Sequence, residues 1–217
     1  MQTMGRPPRP LFLLPRKSNY WQTNWKNSSP RASLLAMTGP EPTEPKLVLR
    51  FDELEIAGAV QRLADQLDHD YRNRSPVMVG VLKGSFIFLA DLVRRMKTPL
   101  QSIEFLRISS YGSSTVSSGE AKISLELPPS SVRGLDVVVV EDIVDTGITT
   151  SAALNYLRGH RPASVRLCAL LDKPSRRQVT VEVDYAGLVV PDQFIVGYGI
   201  DLDQKYRQLP AIYALEE

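Results

Sequence analysis

A single cysteine, Cys168, occurs in the 217 residues. That excludes an internal disulfide framework and fits a reducing compartment. No apolar run approaches the roughly 18 residues of a membrane span, so no membrane partner is expected. No Gly-x-Gly-x-x-Gly stretch marks a dinucleotide fold, and no Gly-Lys-Ser/Thr follows a glycine loop as in a Walker nucleotide site. Acidic residues are missing from one region altogether. Residues 1–40 carry Arg6, Arg9, Arg16, Lys17, Lys26 and Arg31 and no acid. Of 26 basic and 24 acidic groups, the remaining 177 residues therefore hold 20 and 24, a net of −4. Such a body has no bulk charge for coating a nucleic acid.

Eight of the 16 prolines and both tryptophans, Trp21 and Trp25, fall before residue 46. Pro7-Pro8, Asn27-Ser28-Ser29-Pro30 and Glu41-Pro42-Thr43-Glu44-Pro45 interrupt any helical or strand period. Residues 1–45 are thus expected to be a disordered, Pro-rich basic tail and residues 46–217 the folded domain. Two origins fit the tail, an organellar transit segment or translated sequence upstream of a true start at Met37, with a basic nucleic-acid-binding arm as a further reading.

Beyond it the pattern is α/β. Asp52 and Glu55 form a capping box ahead of Ile56, Val60, Leu63, Leu67 and Tyr71, which share one helical face. His69 reads as a solvated residue near the end of that helix. Pro76–Leu82 is a buried strand, Phe86–Met96 a helix, Ile103–Ser109 an alternating strand. Leu135–Val140 is a second buried strand, Ser151–Gly159 a helix ended by His160-Arg161-Pro162, and Ser164–Leu171 a third buried strand with Cys168 as a core thiol. The small, polar stretch 111–120 reads as a mobile loop.

One stretch carries chemistry: Val137-Val138-Val139-Val140-Glu141-Asp142-Ile143-Val144-Asp145-Thr146-Gly147-Ile148-Thr149-Thr150. Four consecutive valines suit the centre of a parallel sheet covered on both sides. Two acids follow at the carboxyl end, the edge where open α/β sheets bind ligands. Gly147 permits a tight loop of inward N–H groups, Thr146 and Thr149 add hydroxyls, and a helix N-terminus follows. This is a seat for one phosphate monoester. The paired carboxylates would repel a bare anion but suit sugar hydroxyls and Mg²⁺. A phosphorylated sugar with two free hydroxyls satisfies both halves.

That run resembles the phosphoribosyl-pyrophosphate (PRPP) motif of the type I phosphoribosyltransferases, and within them the hypoxanthine-guanine branch. The resemblance extends over about residues 46–217. It includes VLKGSFIFLADL at 81–92, SYG at 110–112, LLDKPSRR at 170–177 and VPDQFIVGYGIDLDQKYRQLP at 190–210. It implies the type I phosphoribosyltransferase fold: α/β, a parallel five-stranded core sheet flanked by helices, and a small hood formed by the chain ends. It implies transfer of the phosphoribosyl group of PRPP to N9 of a 6-oxopurine, with Mg²⁺, in cytoplasmic purine salvage by a homodimer or homotetramer.

The resemblance also distributes roles. Glu141 and Asp142 hold the ribose hydroxyls, and Asp145, Thr146, Gly147, Ile148 and Thr149 the 5′-phosphate. Asp145 is general base at purine N7, where positive character builds as N9 attacks. Lys173 donates to the exocyclic O6, Phe194 stacks on the base, and the Ile195 backbone faces the base edge. Lys83, Gly84 and Arg207 contact pyrophosphate, with a non-proline cis peptide implied in the Leu82-Lys83-Gly84 loop. Glu141, Asp142 and Asp201 are associated with the metal. Ser110 and Tyr111 begin the lid. Ile148 departs from relatives with a basic or polar residue there, at the cost of a side-chain donor to the phosphate. A xanthine-preferring or broad 6-oxopurine enzyme remains an alternative, as does a non-catalytic nucleotide sensor on the same fold. The acidic body and the presence of Asp145 argue against the sensor.

Overall fold

The computed structural model describes residues 45–110 and 121–216. The tail expectation for residues 1–44 and the lid residue Tyr111 lie outside them. Chain order runs β1 (Lys46–Phe51), α1 (Glu53–Asp70), β2 (Val77–Leu82), α2 (Phe86–Arg95), β3 (Ser102–Ser110), β4 (Ala121–Leu125), β5 (Asp136–Val144), α3 (Ile148–Gly159), β6 (Ser164–Asp172), β7 (Tyr185–Val189), β8 (Ile195–Val196) and β9 (Ile212–Glu216).

The main sheet has the order β4-β3-β2-β5-β6-β7. Its five strands from β3 to β7 are mutually parallel, and β4 pairs antiparallel to β3 at one edge. This is the parallel five-stranded core expected from the sequence. The valine run explains its centre. Val138 and Val140 pack with Ile56, Leu63 and Leu67 of α1 and Phe88, Leu89 and Leu92 of α2. Val137 and Val139 pack on the opposite face with Ala153, Leu154 and Leu157 of α3. All four valines are fully buried. Strand side chains alternate between faces, so a sheet covered on both sides requires apolar residues at every position. Each such burial contributes roughly 1.5–3 kcal/mol.

The capping box at α1 forms as expected. The Asp52 carboxylate accepts from the Glu55 N–H at 2.8 Å, and the Glu55 carboxylate from the Asp52 N–H at 2.9 Å. Cys168 is buried, which pushes its thiol well above the usual range. A second, three-stranded antiparallel sheet, β1-β9-β8, forms from the two ends of the described chain. It is the small hood. Among the described residues, no helix is long and apolar enough to cross a membrane.

Two boundaries differ from the sequence reading, and both matter. β5 does not stop at Val140 but runs to Val144, so Glu141 and Asp142 lie within the strand. α3 begins at Ile148 rather than Ser151. Ladder bonds to β6 continue through Val144↔Asp172 and outweigh the poor strand propensity of the acids. The loop between strand and helix is therefore only Asp145-Thr146-Gly147.

Candidate active site

The short loop at the carboxyl end of β5 opens onto a cleft of about 210 Å³. Glu141, Asp142, Asp145, Thr146, Gly147 and Thr149 line it, with Gly84 from the β2–α2 loop. Gly147 is the N-cap of α3 with φ 83°, and a Cβ there would stand 2.5 Å from the Val179 carbonyl oxygen. Only glycine fits both demands. The Gln178 and Val179 N–H groups both donate to the Thr146 carbonyl, at 2.9 and 3.0 Å, and brace the loop from below. The first intrahelical bond is Ser151 N–H to Gly147 C=O at 2.8 Å. The N–H groups of the preceding turn have no acceptor within the helix and face outward with the positive end of its dipole. Ile148 contributes at most its backbone: its side chain is not part of the lining.

Electrostatics set the two acids apart. Burial, and then the neighbouring Asp142, push the Glu141 carboxyl well above the ordinary carboxylate range, opposed by the Thr150 hydroxyl at 3.5 Å. Asp142 is pushed up to about 6 by burial, against the pull of its own and Ile143's backbone N–H groups and of Arg207; Asp201 adds to the rise. Gly84 lies so close that a Cβ there would collide with the Asp142 carboxylate. Such a carboxylate pair gains from hydroxyl donors or a cation.

Asp145 is held differently. Lys173, 2% exposed, donates to Asp145 Oδ2 at 3.3 Å and to the Gln193 carbonyl at 2.8 Å. Arg176 Nε approaches Asp145 Oδ1 at 3.5 Å and Asp192 at 3.6 Å. Asp145 Oδ1 is buried and has no hydrogen-bond donor among the described residues. Phe194 is 51% exposed, free to offer a ring face, whereas Ile195 is buried in β8. The core packing that apolar character alone would suggest for Phe194 is not what the fold does with it.

The pyrophosphate candidates form a separate group. The Leu82–Lys83 peptide is cis, as the resemblance implied. Lys83 Nζ donates to Gln204 Oε1 at 2.8 Å, and the Gln204 N–H donates to Asp201 Oδ2 at 2.8 Å. Arg207 pairs with Asp201 at 2.6 Å and donates to the Gly199 carbonyl at 2.7 Å. Ser110 ends β3. Among the described residues no cluster of three or more His, Cys, Asp or Glu is arranged to hold a metal. Glu141, Asp142 and Asp201 therefore do not close into an all-protein cage. The donor set instead fits Mg²⁺, which binds through one or two carboxylates and keeps other positions for water or substrate phosphate. Sequence reasoning missed Thr150, Arg176, Gln193 and Gln204. The doubled threonine at 149–150 and the doubled arginine at 176–177 were the available signals for the first two.

Comparison with known proteins agrees with this architecture. The pattern of the Phosphoribosyl transferase domain matches residues 51–203. The hypoxanthine-guanine phosphoribosyltransferase of Bacillus subtilis is 43% identical over 166 residues, covering 76% of this chain and 91% of that protein. A solved hypoxanthine-guanine phosphoribosyltransferase of Bacillus anthracis superposes with a TM-score of 0.74 at 40% identity, over 80% of this chain and 100% of that one. The chain is also 45% identical over 171 residues to a bifunctional protein TilS/HprT of Listeria monocytogenes, covering 79% of this chain but only 26% of that larger protein. The chain belongs to the phosphoribosyltransferase family and, within it, to the hypoxanthine-guanine phosphoribosyltransferases.

Proposed function

We propose that this chain transfers the 5-phosphoribosyl group of PRPP to N9 of hypoxanthine or guanine, giving IMP or GMP and pyrophosphate in purine salvage. The observation that carries the reading is the Lys173–Asp145 pair at 3.3 Å beside the phosphate-type loop, with Asp145 Oδ1 lacking a donor among the described residues. A 6-oxopurine complements it: N7–H meets Asp145, and O6 accepts from Lys173. Adenine offers an amino group where the lysine needs an acceptor and fits poorly.

The 5′-phosphate sits on the N–H groups of the Asp145–Thr149 turn and the helix N-terminus. Glu141 and Asp142 accept hydrogen bonds from the ribose 2′- and 3′-hydroxyls. As N9 bonds to C1′ and the C1′–pyrophosphate oxygen bond breaks, Asp145 takes or shares the N7 proton, a contribution of roughly 10²–10⁴-fold. Lys173 stabilises negative charge at O6, and the Phe194 ring covers one face of the base. Lys83, Gly84 and Arg207 receive the departing pyrophosphate. Mg²⁺, held through Glu141, Asp142 or Asp201 together with substrate oxygens, would neutralise charge on the diphosphate. The cytoplasmic setting and the homodimer or homotetramer belong to the same proposal.

Pyrophosphate release from PRPP, measured with each purine separately, tests the reading. Hypoxanthine and guanine support turnover and adenine does not. Absence of turnover with hypoxanthine, guanine and xanthine alike would overturn it; a clear preference for xanthine would correct the base.

A further inference from the structure

The chain from Gly197 to Arg207 has a backbone that local propensity opposes. Gly197, Tyr198 and Gly199 have φ of 100°, 50° and 102° in succession, and Asp203, Gln204 and Tyr206 are also positive, at 50°, 68° and 73°. Non-glycine residues in this region persist only where surrounding structure holds them. Part of the hold is backbone: Tyr198 N–H donates to Leu209 C=O at 2.8 Å and Gly199 N–H to Arg207 C=O at 3.0 Å. These bonds join the segment to itself and to Leu209 just beyond it, and neither reaches the Lys83–Gly84 loop.

That distance is tight. A Cβ on Gly199 would run into the Gly84 carbonyl, and one on Gly84 into the Asp142 carboxylate. Gly199, Gly84 and Asp142 are therefore stacked with no slack, and any movement of the segment reaches the cleft. Two side-chain bonds tie the segment to this region: at its far end Lys83 Nζ donates to Gln204 Oε1 at 2.8 Å, an exposed contact, and at its near end the Tyr198 hydroxyl donates to Asp91 Oδ2 of the helix after Gly84 at 2.5 Å, a part-buried one. Burial and Asp91 push the Tyr198 phenol well above its usual range, so it remains a donor. Burial would raise the Asp91 carboxyl, but its bonds to Tyr198 and Arg94 hold it below the usual range. Tyr198 and Asp91 line a cavity of about 370 Å³ with Ile56, Ile87, Arg95 and Leu209.

We infer that the Tyr198–Asp91 hydrogen bond positions the two walls of the pyrophosphate subsite, holding the Arg207-bearing segment in register with the Lys83–Gly84 loop. The inference rests on the pyrophosphate role proposed for those residues. Neither Tyr198 nor Asp91 lines the cleft, so both are assigned as positioning residues.

Tyr198→Phe tests it, since the ring and its burial remain and only the hydroxyl goes. Steady-state kinetics and calorimetric binding of inorganic pyrophosphate with Mg²⁺ are the readouts, with Arg207→Ala in parallel. The KM for PRPP and the Kd for pyrophosphate rise roughly tenfold, while the KM for hypoxanthine stays within about twofold, as expected for one lost bond to a charged acceptor. Asp91→Ala gives a similar split, and the double variant is no worse than the poorer single one. A Tyr198→Phe protein with a lower Tm but unchanged PRPP and pyrophosphate constants would overturn the inference and leave the subsite standing, provided Arg207→Ala weakens pyrophosphate. An Arg207→Ala protein with unaltered pyrophosphate binding would remove the subsite, and the inference with it.

Discussion

The two ends of the parallel sheet carry the same kinds of side chain in opposite states. At the amino end, Asp70 accepts from Arg166 at 2.8 Å, from the Tyr185 hydroxyl at 2.9 Å and from His69 at 3.1 Å. Hydrogen bonds from His69, Tyr185 and Arg166 hold its carboxyl below the ordinary range. Asp136 there accepts from Ser164 at 2.5 Å and Arg74 at 3.3 Å. At the carboxyl end, Glu141 and Asp142 are raised, and Asp145, although ion-paired to Lys173 and Arg176, keeps a buried oxygen that receives no hydrogen bond among the described residues. Carboxylates satisfied within the chain tie strands to helices. Carboxylates left wanting are poised for a partner from outside.

The comparison breaks most visibly at Asp145. Asp145→Asn lowers kcat roughly 10²-fold or more, the general-base magnitude, while the PRPP constant is largely kept; an unchanged rate would remove Asp145 from the chemistry. Glu141→Ala with Asp142→Ala raises the KM for PRPP by about tenfold or more and that for the base much less, on the scale of lost bonds to charged acceptors. Equal effects on both substrates would contradict the ribose assignment.

A pH titration of stability sharpens the contrast. Both acids of the pair have raised folded-state values, so their contribution to stability is fully present below the unfolded carboxylate range near 4. It is lost as pH climbs through the folded value, about 6 for Asp142. The ligand-free protein should thus lose on the order of 2 kcal/mol between pH 4.5 and 7.5 from Asp142 alone, with Glu141 adding loss of the same sign. Glu141→Gln flattens that dependence and raises Tm at pH 7.5, and denaturant melts at several pH values measure it. Asp70→Asn does the reverse. It costs about 1–2 kcal/mol of stability at neutral pH and leaves the kinetic constants alone; a change in KM for either substrate would erase the distinction between the two ends.

Much of this was legible in the chain. The valine alternation forced a sheet covered on both faces, the Asp52–Glu55 spacing gave the helix cap, and the Asp-Thr-Gly run marked the tight turn from strand to helix. What escaped depends on partners distant in sequence. The burial of Lys173 follows from the Gln193 carbonyl and Asp145, 20 and 28 residues away. β5 reaches Val144 because β6 continues beside it, although Glu and Asp are poor strand formers. Phe194 reads as core by composition, yet stays half exposed because only two residues after it join the hood strand. The Tyr198–Asp91 contact spans 107 residues and carries no local signature.

The hood has a consequence for how the protein comes to life. Among the described strands β8, which follows Phe194, pairs only with β9, and β9 in turn with β1. The Asp145–Gly147 turn can form from β5, β6 and α3, whereas β8 has no partner until β9 is in place. The hood therefore closes late in folding, because its pairing joins strands from opposite ends of the described chain and so requires the longest loop to be closed.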